Sequence, residues 1–219
     1  MNTTFWGPDG WKLLHTIAYI YPTKPTITDK KTYTLFYKIL PKVLPCKYCR
    51  DSLVGFMKDL PIGPYLATRE KLTMWIYLIH NKVNEKLRCQ GFLDKADPSK
   101  STVDKLYSEY IEYIKNNKHL IGAKFIYSVI YNFPTLMKNT KTTISTLTKF
   151  LKYLAVVYPD CQFKRNLTFS TNCDKQLEIM LGVECVLVND GSCSTRMRNT
   201  KKLVADNQVK QCKKTCRKN

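Results

Sequence analysis

The chain has 219 residues, and its 36 lysines and arginines against 17 aspartates and glutamates give a net charge of +19. This length is enough for one large or two small domains. No run of about 18 apolar residues is present, which argues against a transmembrane helix, and the N-terminus lacks the pattern of a signal peptide. The positive charge is typical of polyanion-binding proteins, but lysines spread along the whole chain are equally typical of a solvated surface.

Nine cysteines are a high content for a chain without a predicted signal peptide. A disulfide scaffold is then not the default, so we expect the thiols either to bind metal or to take part in disulfide chemistry. Zinc is disfavoured, because the sequence has only three histidines and a single CxxC motif. The sequence therefore predicts no metal site.

The first predicted helix lies in the segment WGPDGWKLLHTIAYIYP. Asp9 is expected to cap a helix that starts near Gly10, and Trp11, His15 and Tyr19 then recur on one face at a spacing of four residues. The ordinary interpretation of such a stripe is a core that includes a satisfied histidine. The alternative is a face that holds a ligand.

A second helix is predicted over residues 29–44, and the motif PCKYCR follows it. The residues after the motif have helical periodicity, so Cys46 and Cys49 are expected at a helix start, where free backbone N–H groups lower a cysteine pKa. This arrangement favours thiolate and disulfide chemistry. Half of a zinc site or an incidental pair of cysteines are the alternatives.

A fourth helix is predicted over residues 68–87, with His80 and Asn84 one turn apart on its apolar stripe. Buried polar groups need partners, so this pair suggests a polar ligand as well as a core. Four short helices joined by brief loops predict a bundle, and the cores of bundles hold cofactors.

The segment DKADPSKST marks a break before a fifth amphipathic helix over residues 101–116. In the region that follows, KFIYSVIYNFP is compatible with a helix or a strand, residues 142–158 are predicted to be helical, and LGVECVLVNDG is predicted to be a strand and turn. The four cysteines of this region are expected to be structural pairs or buried thiols, with their pairing left open: Cys161, Cys173, Cys185 and Cys193.

The basic tail KQCKKTCRKN contains Cys212 and Cys216. Its composition predicts a mobile segment, and the neighbouring positive charges stabilise thiolates. A thiol pair that carries electrons to another disulfide, two idle cysteines and an anion-binding tail are all compatible with this sequence.

Three motifs in this order, WGPDGWKLLHTIAYIYP, PCKYC and HNKVNEKL, resemble the FAD-dependent sulfhydryl oxidases of the Erv/ALR family, most closely the branch found in large DNA viruses. The resemblance covers residues 5–92. It implies an all-α N-terminal bundle of four helices plus a short fifth that binds FAD, over residues 1–118. A cysteine-containing region of mainly helical or α+β fold (residues 119–205) and the basic tail (residues 206–219) are expected to follow.

The resemblance also implies roles for individual residues. Cys49 would be the cysteine beside the flavin, and Cys46 the one that exchanges with the substrate. Lys86 is expected to approach the pyrophosphate. The remaining positions that match the cofactor site of the family are Trp11, His15, Tyr19, His80, Asn81 and Asn84.

The sequence also departs from the family pattern. Pro8 stands where an arginine is common, and Cys89 stands where a lysine often contacts the cofactor. The late aromatic residue that packs on the adenine is missing or is replaced by Tyr107 or Tyr110. Tyr77 occupies the position of the first cysteine of a second, structural disulfide.

The function predicted from this resemblance is an FAD-linked thiol oxidase. It would form disulfides in protein dithiols and pass the electrons through Cys46 and Cys49 to FAD and then to O2, giving H2O2. Few residues precede Trp6, so a shuttle pair is expected at Cys212 and Cys216. A homodimer, a polyanion contact through the basic surface and a location in the host cytoplasm or the virion are further expectations. The alternative is a basic nucleic-acid-binding or protein-binding module with a structural CxxC.

Overall fold

A computed structural model describes residues 3–116, 119–188 and 193–207. Within these residues the chain is helical and contains no strand, so the all-α prediction for the N-terminal region is confirmed. A short 3-10 turn, Gly63–Ala67, precedes the fourth helix. The ten α-helices are α1 Thr3–Tyr19, α2 Ile27–Val43, α3 Lys47–Asp59, α4 Arg69–Cys89, α5 Lys100–Asn116, α6 Ala123–Asn139, α7 Ile144–Val157, α8 Cys161–Asn166, α9 Cys173–Val188 and α10 Cys193–Asp206.

Helix α1 begins at Thr3, seven residues before the predicted start at Gly10, so Asp9 lies inside the helix. The prediction that Asp9 caps α1 is wrong. Its carboxylate instead accepts the backbone N–H of Lys124 at 2.7 Å. That N–H is one of the unsatisfied donors in the first turn of α6, so Asp9 caps a helix that follows more than a hundred residues later.

Helix α2 begins at Ile27 because Thr26 forms the N-cap of a capping box. The Thr26 hydroxyl accepts the N–H of Asp29 at 3.1 Å, and the Asp29 carboxylate accepts the N–H of Thr26 at 2.8 Å. These reciprocal bonds satisfy two donors at the helix start. The predicted start at residue 29 is therefore two residues late.

Helices α6 and α7 pack on the N-terminal bundle. An added Cβ at Gly10 would meet the Phe125 ring at 3.1 Å, and one at Gly122 would meet Leu13 at 2.7 Å, which shows how closely α6 approaches α1. One hydrophobic core extends through both the predicted bundle and the region that follows it. The predicted boundary at residues 118 and 119 therefore crosses a shared core.

The segment predicted as a strand and turn, LGVECVLVNDG, lies in α9 as far as Val188. That prediction is wrong because the buried side chains of α9, which include Leu177, Met180 and Leu181, recur at helical spacing. A disulfide joins Cys185 to Cys193 and connects α9 to α10. The segment KFIYSVIYNFP, compatible with either structure from its pattern, is part of α6.

None of the helices in the described ranges is long and apolar enough to cross a membrane.

Candidate active site

Cys46 and Cys49 lie at the N-terminus of α3. Cys46 is the N-cap residue, and its Sγ accepts the backbone N–H of Cys49 at 3.3 Å. Cys46 is 7% exposed, whereas Cys49 is half-buried. The predicted position of the motif at a helix start, with the first sulfur facing free backbone N–H groups, agrees with the described geometry.

The environment of Cys46 lowers its pKa to about 6. The largest cause is a hydrogen bond from the Cys49 side chain, followed in the same direction by the backbone N–H groups of Cys49 and Tyr48 and by the charge of Arg50. Burial acts in the opposite direction because it disfavours the charged thiolate. When reduced, Cys46 is therefore mainly a thiolate at pH 7, which is the reactive form in disulfide exchange.

Arg50 holds the turn that connects α2 to α3. Its Nη1 donates to the backbone carbonyl of Leu44 at 2.7 Å and to that of Pro45 at 3.2 Å. These carbonyls directly precede Cys46, so the guanidinium fixes the entry to the motif and places a positive charge beside it. Sequence reasoning did not single out Arg50, although a cation immediately after the second cysteine was a usable signal.

A cluster of aromatic and histidine side chains joins α1 to α4 and α5. The rings of Trp11 and His80 are stacked, with centroids 3.9 Å apart, and His15 Nε2 lies 3.1 Å from His80 Nδ1. Tyr107 of α5 stacks on His15 at 4.7 Å and on Tyr19 at 5.1 Å. The structure thus brings together four residues of the predicted cofactor site, three from α1 and one from α4.

His15 is buried, and its Nδ1 has no hydrogen-bond partner. Burial lowers the pKa of His15 to about 3, assisted by the charges of His80 and Lys100, and burial lowers the pKa of His80 to about 4. Both imidazoles are therefore neutral at pH 7. A buried, unpaired ring nitrogen is unfavourable unless a polar group meets it, so Nδ1 of His15 marks a position where a ligand atom would be stabilised.

Tyr19 also takes part in a polar network at the other end of the cluster. Its hydroxyl donates to the carboxylate of Asp104, which forms an ion pair with Lys100. Lys100 Nζ lies 3.3 Å from the Tyr19 hydroxyl and 3.4 Å from the Thr73 hydroxyl. Lys100 is therefore a cation beside the aromatic stripe that sequence reasoning missed, because no spacing rule connects it to α1.

The other residues of α4 in the predicted cofactor site lie outside the cluster of aromatic and histidine side chains. Asn84 Nδ2 donates to Asp97 at 2.7 Å, and Asp97 also forms an ion pair with Arg88 at 2.8 Å. Asn81 lines a surface pocket of about 440 Å³. Lys86 Nζ donates to the hydroxyl of Ser52. Ser52 follows Cys49 by one helical turn, so Lys86 connects the third sequence motif to the CxxC helix.

Tyr110, named with Tyr107 as a replacement for the family aromatic, has a different environment. Its hydroxyl lies 2.9 Å from His119 Nε2, and Lys12 Nζ lies 4.1 Å from its ring centre. Tyr107 stacks on His15 and Tyr19 of the stripe on α1, whereas the ring contacts of Tyr110 are with Tyr107, Tyr113 and His119.

The remaining cysteines are distributed over the surface and the core. Cys173 is a buried thiol, as expected, but Cys161 is an exposed free thiol, so the prediction that Cys161 is paired or buried is wrong. Cys89 at the end of α4 is also exposed. Cys212 and Cys216, the predicted shuttle pair, lie outside the described residues. Across the three described ranges, no group of three or more potential ligands is placed to hold a metal ion.

Known proteins are similar to the N-terminal part of this chain, which contains the CxxC motif and the aromatic cluster. Residues 8–106 match the Erv1 / Alr family. The mitochondrial FAD-linked sulfhydryl oxidase ERV1 of Saccharomyces cerevisiae is 35% identical over 86 residues, which are 39% of this chain and 44% of that protein. The probable FAD-linked sulfhydryl oxidase R368 of Acanthamoeba polyphaga mimivirus is 38% identical over 85 residues, which are 38% of this chain and 59% of that protein.

A solved structure, the yeast Erv1 core, is 32% identical, with 44% of this chain and 77% of that chain covered at a TM-score of 0.39. The chain spans about half the length of the curated relatives named above. The family match contains the first motif from Pro8 onward and the whole of the other two motifs, including both cysteines of the CxxC. The N-terminal segment of this chain, residues 8–106, is therefore an Erv1 / Alr family segment, as its motifs predict.

Proposed function

We propose that this chain is an FAD-linked thiol oxidase that forms disulfide bonds in protein substrates. The observation that carries the proposal is Cys46 at the N-terminus of α3, with its pKa lowered to about 6 by Cys49 and the backbone. A dithiol with one thiolate at neutral pH is suited to disulfide exchange. The names of the relatives, which are FAD-linked sulfhydryl oxidases, support the same activity.

The residues present fit a flavin nucleotide. The unpaired Nδ1 of buried His15 offers a hydrogen bond to a polar ligand atom. Trp11 and Tyr19 stack on His80 and Tyr107 in this structure, so a flat ring system would contact the remaining aromatic surface of this cluster. Lys100, which is paired with Asp104, is the cation beside Tyr19, and Lys86 lies on α4 beside Ser52 of the CxxC helix. When bound, FAD would take the electron pair of the dithiol and transfer it to O2, giving H2O2.

The part of the reaction carried by this chain is an exchange of sulfur–sulfur bonds. A substrate thiolate attacks Sγ of Cys46 in the Cys46–Cys49 disulfide, so that a bond to Cys46 forms and Cys49 leaves as a thiolate. The second substrate thiolate attacks the substrate sulfur, its disulfide forms, and Cys46 leaves. Two protons go from the substrate thiols to solvent, and the electron pair stays on the two cysteines. In the second step the backbone N–H groups of Cys49 and Tyr48 and the charge of Arg50, which also lower the pKa of Cys46, stabilise Cys46 as the leaving thiolate.

Assembly and location are part of the proposal. A homodimer would use a surface other than the core-facing sides of α1 and α2, because α6 packs on α1 and α7 packs on α2 through contacts such as Phe36 with Phe150. We propose the host cytoplasm or the virion as the location, since proteins of two large viruses are among the relatives that this chain resembles.

The visible spectrum and the oxygen uptake of the purified protein test the proposal. We expect a flavin absorption band near ~450 nm and oxygen uptake with a dithiol that is lost in Cys49→Ser. A protein that stays colourless with added FAD and is retained on DNA in a salt-sensitive manner would instead favour the alternative, a basic binding module with a structural CxxC.

A further inference from the structure

A groove of about 650 Å³ lies between α2, α3 and the segment that precedes α4. Three lysines line it, together with apolar side chains. We call it the lysine groove, and the residues that define it here are Lys38, Lys42, Lys58, Pro41, Val54 and Met57.

No residue in the described ranges neutralises the charge of the lysine groove. No acidic residue lines it, and its three lysines form no ion pair in the part of the chain that the structure describes. The carboxylates of the neighbouring helix are held elsewhere, since Asp51 pairs with Lys47 at 2.9 Å and Asp59 lies 3.6 Å from Lys82. The groove is therefore a site of uncompensated positive charge, complementary to a segment that carries carboxylates.

The lysine groove also presents apolar surface to solvent. The side chain of Val54 is 57% exposed, although it belongs to a helix whose other apolar residues are mostly turned towards the core. Together with Pro41 and the half-buried Met57, it forms an apolar surface between the lysines. A segment that combines acidic and apolar side chains would bury this surface and pair with the lysines at the same time.

The lysine groove is close to the reactive sulfur along the chain. Lys42 precedes Cys46 by four residues, and Val54 follows Cys49 by five, which is about 8 Å of helical rise. An extended peptide advances about 3.3 Å per residue. A substrate segment of roughly three to five residues could therefore connect the groove to the sulfur of Cys46.

Cys46 is 7% exposed, so a large substrate that collides at random seldom presents its thiolate to this sulfur. A docking site beside it would raise the local concentration of the thiolate. Small dithiols reach the sulfur by diffusion and have no segment to dock. The two kinds of substrate should therefore differ in their dependence on the groove.

We propose that the lysine groove binds an acidic, partly apolar segment adjacent to the dithiol of a substrate protein. This proposal rests on the proposed thiol oxidase function and narrows its substrate class. It assigns a part of the positive charge of the chain to substrate selection.

The test uses two synthetic dithiol peptides that differ only in a flanking segment, with glutamates and leucines in one and glutamines and leucines in the other. The enzyme variant is Lys38→Gln/Lys42→Gln/Lys58→Gln. Its matched control is Lys24→Gln/Lys30→Gln/Lys31→Gln, which removes the same charge from exposed positions before and at the start of α2. Oxygen uptake gives kcat and KM for each peptide and for dithiothreitol.

With the full-length enzyme at low salt, we expect the groove variant to raise KM for the acidic peptide about tenfold, since three partly exposed pairs are lost. Its KM for the glutamine peptide and its kcat/KM with dithiothreitol should stay unchanged, and the control variant should behave as wild type. An unchanged KM for the acidic peptide, or an equal increase in the control variant, would overturn the proposal.

A binding measurement separates the failure of this proposal from failure of the oxidase function. In Cys46→Ser/Cys49→Ser, which cannot turn over, fluorescence anisotropy of the labelled acidic peptide should show binding that the three groove substitutions weaken about tenfold. The same measurement is repeated with a labelled single-stranded oligonucleotide, which is the alternative ligand for the groove. If the three groove substitutions remove oligonucleotide binding but leave peptide binding intact, the groove is a nucleic-acid site and the proposal is contradicted.

Discussion

Nε2 of His15 on α1 lies 3.1 Å from Nδ1 of His80 on α4, so these two imidazoles form a hydrogen bond between the two helices. A hydrogen bond between two imidazoles requires that one ring nitrogen donates and the other accepts. The pair is therefore compatible with two neutral rings, and a second proton on either ring would disrupt it or add a buried charge. Stability should depend on pH through these two residues.

The first prediction is that the free energy of unfolding falls as the pH is lowered from about 6.5 to about 4. The pKa values of His15 and His80 are lowered to about 3 and about 4 by burial, whereas both titrate near 6.5 in the unfolded chain. In this window the unfolded state binds the protons, so stability decreases by up to about 1.4 kcal/mol per pH unit for each histidine. Urea unfolding at a series of pH values measures the slope.

The His15→Gln variant provides the comparison for this prediction. It keeps a polar side chain but cannot titrate, so its slope between pH 4 and 6.5 should be smaller than that of the wild type. An equal slope in the two proteins would show that other groups cause the pH dependence.

The sequence allowed the local parts of this site to be predicted. The CxxC at a helix start, and Trp11, His15 and Tyr19 on one face of α1, follow from spacings of three and four residues within a single helix. The contact of His15 with His80 could be expected from the resemblance, because both belong to motifs of one family. These features depend on short segments whose local conformation does not depend on the rest of the fold.

The parts that could not be predicted depend on distant segments. Aspartate is a common N-cap residue, so the sequence suggests that Asp9 caps its own helix. Asp9 instead caps α6, because that helix packs against α1. Asn84 donates to Asp97 in the loop after α4, a partner that the spacing of residues within α4 does not predict. The strand predicted around Cys185 failed because β-branched residues in a buried segment are compatible with both structures, and the core contacts of α9 decide in favour of a helix.

The second prediction concerns the reactivity of Cys46. In the reduced protein, the rate of its alkylation by iodoacetamide should rise with a midpoint near pH 6, because the thiolate is the reacting species and the pKa of Cys46 is about 6. Cys49→Ala removes the hydrogen bond that is the largest cause of this lowered pKa, so the midpoint should move upward by roughly one pH unit or more. Mass spectrometry of the alkylated peptide identifies the cysteine. A midpoint that does not change in Cys49→Ala would contradict the assigned cause.

The third prediction separates the contribution of Arg50 to the stability of the α2–α3 turn from its contribution to the lowered pKa of Cys46. Arg50→Met removes both the charge and the hydrogen bonds to the carbonyls of Leu44 and Pro45. We expect the free energy of unfolding to fall by about 2 kcal/mol and the alkylation midpoint of Cys46 to rise. Arg50→Lys keeps the charge but not the two-point contact, so it should lose stability while its midpoint stays close to that of the wild type. A rise of the midpoint in Arg50→Lys as large as in Arg50→Met would show that position, not charge, controls the pKa.

The fourth prediction tests the close packing of α6 on α1. Gly122 has a φ of +76°, and an added Cβ would lie 2.7 Å from side-chain atoms of Leu13, whereas Gly91 has a φ of +71° and nothing within 4 Å. Gly91→Ala therefore introduces only backbone strain, worth about 1 kcal/mol. Gly122→Ala adds overpacking against Leu13, so its free energy of unfolding should fall by about 3 kcal/mol.

Chemical denaturation of the two glycine variants measures this difference directly, because the similar φ angles make Gly91→Ala a control for backbone strain. The double variant Gly122→Ala/Leu13→Ala removes Cγ and Cδ2 of Leu13 but keeps its Cβ, 2.7 Å from the added Cβ, so the coupling between the two substitutions should be favourable but should not restore the full loss. Equal losses in Gly122→Ala and Gly91→Ala would mean that α6 does not approach α1 as closely as described. The helices that follow the family segment would then contribute less to the shared core, and the stability of the redox site would depend mainly on α1–α5.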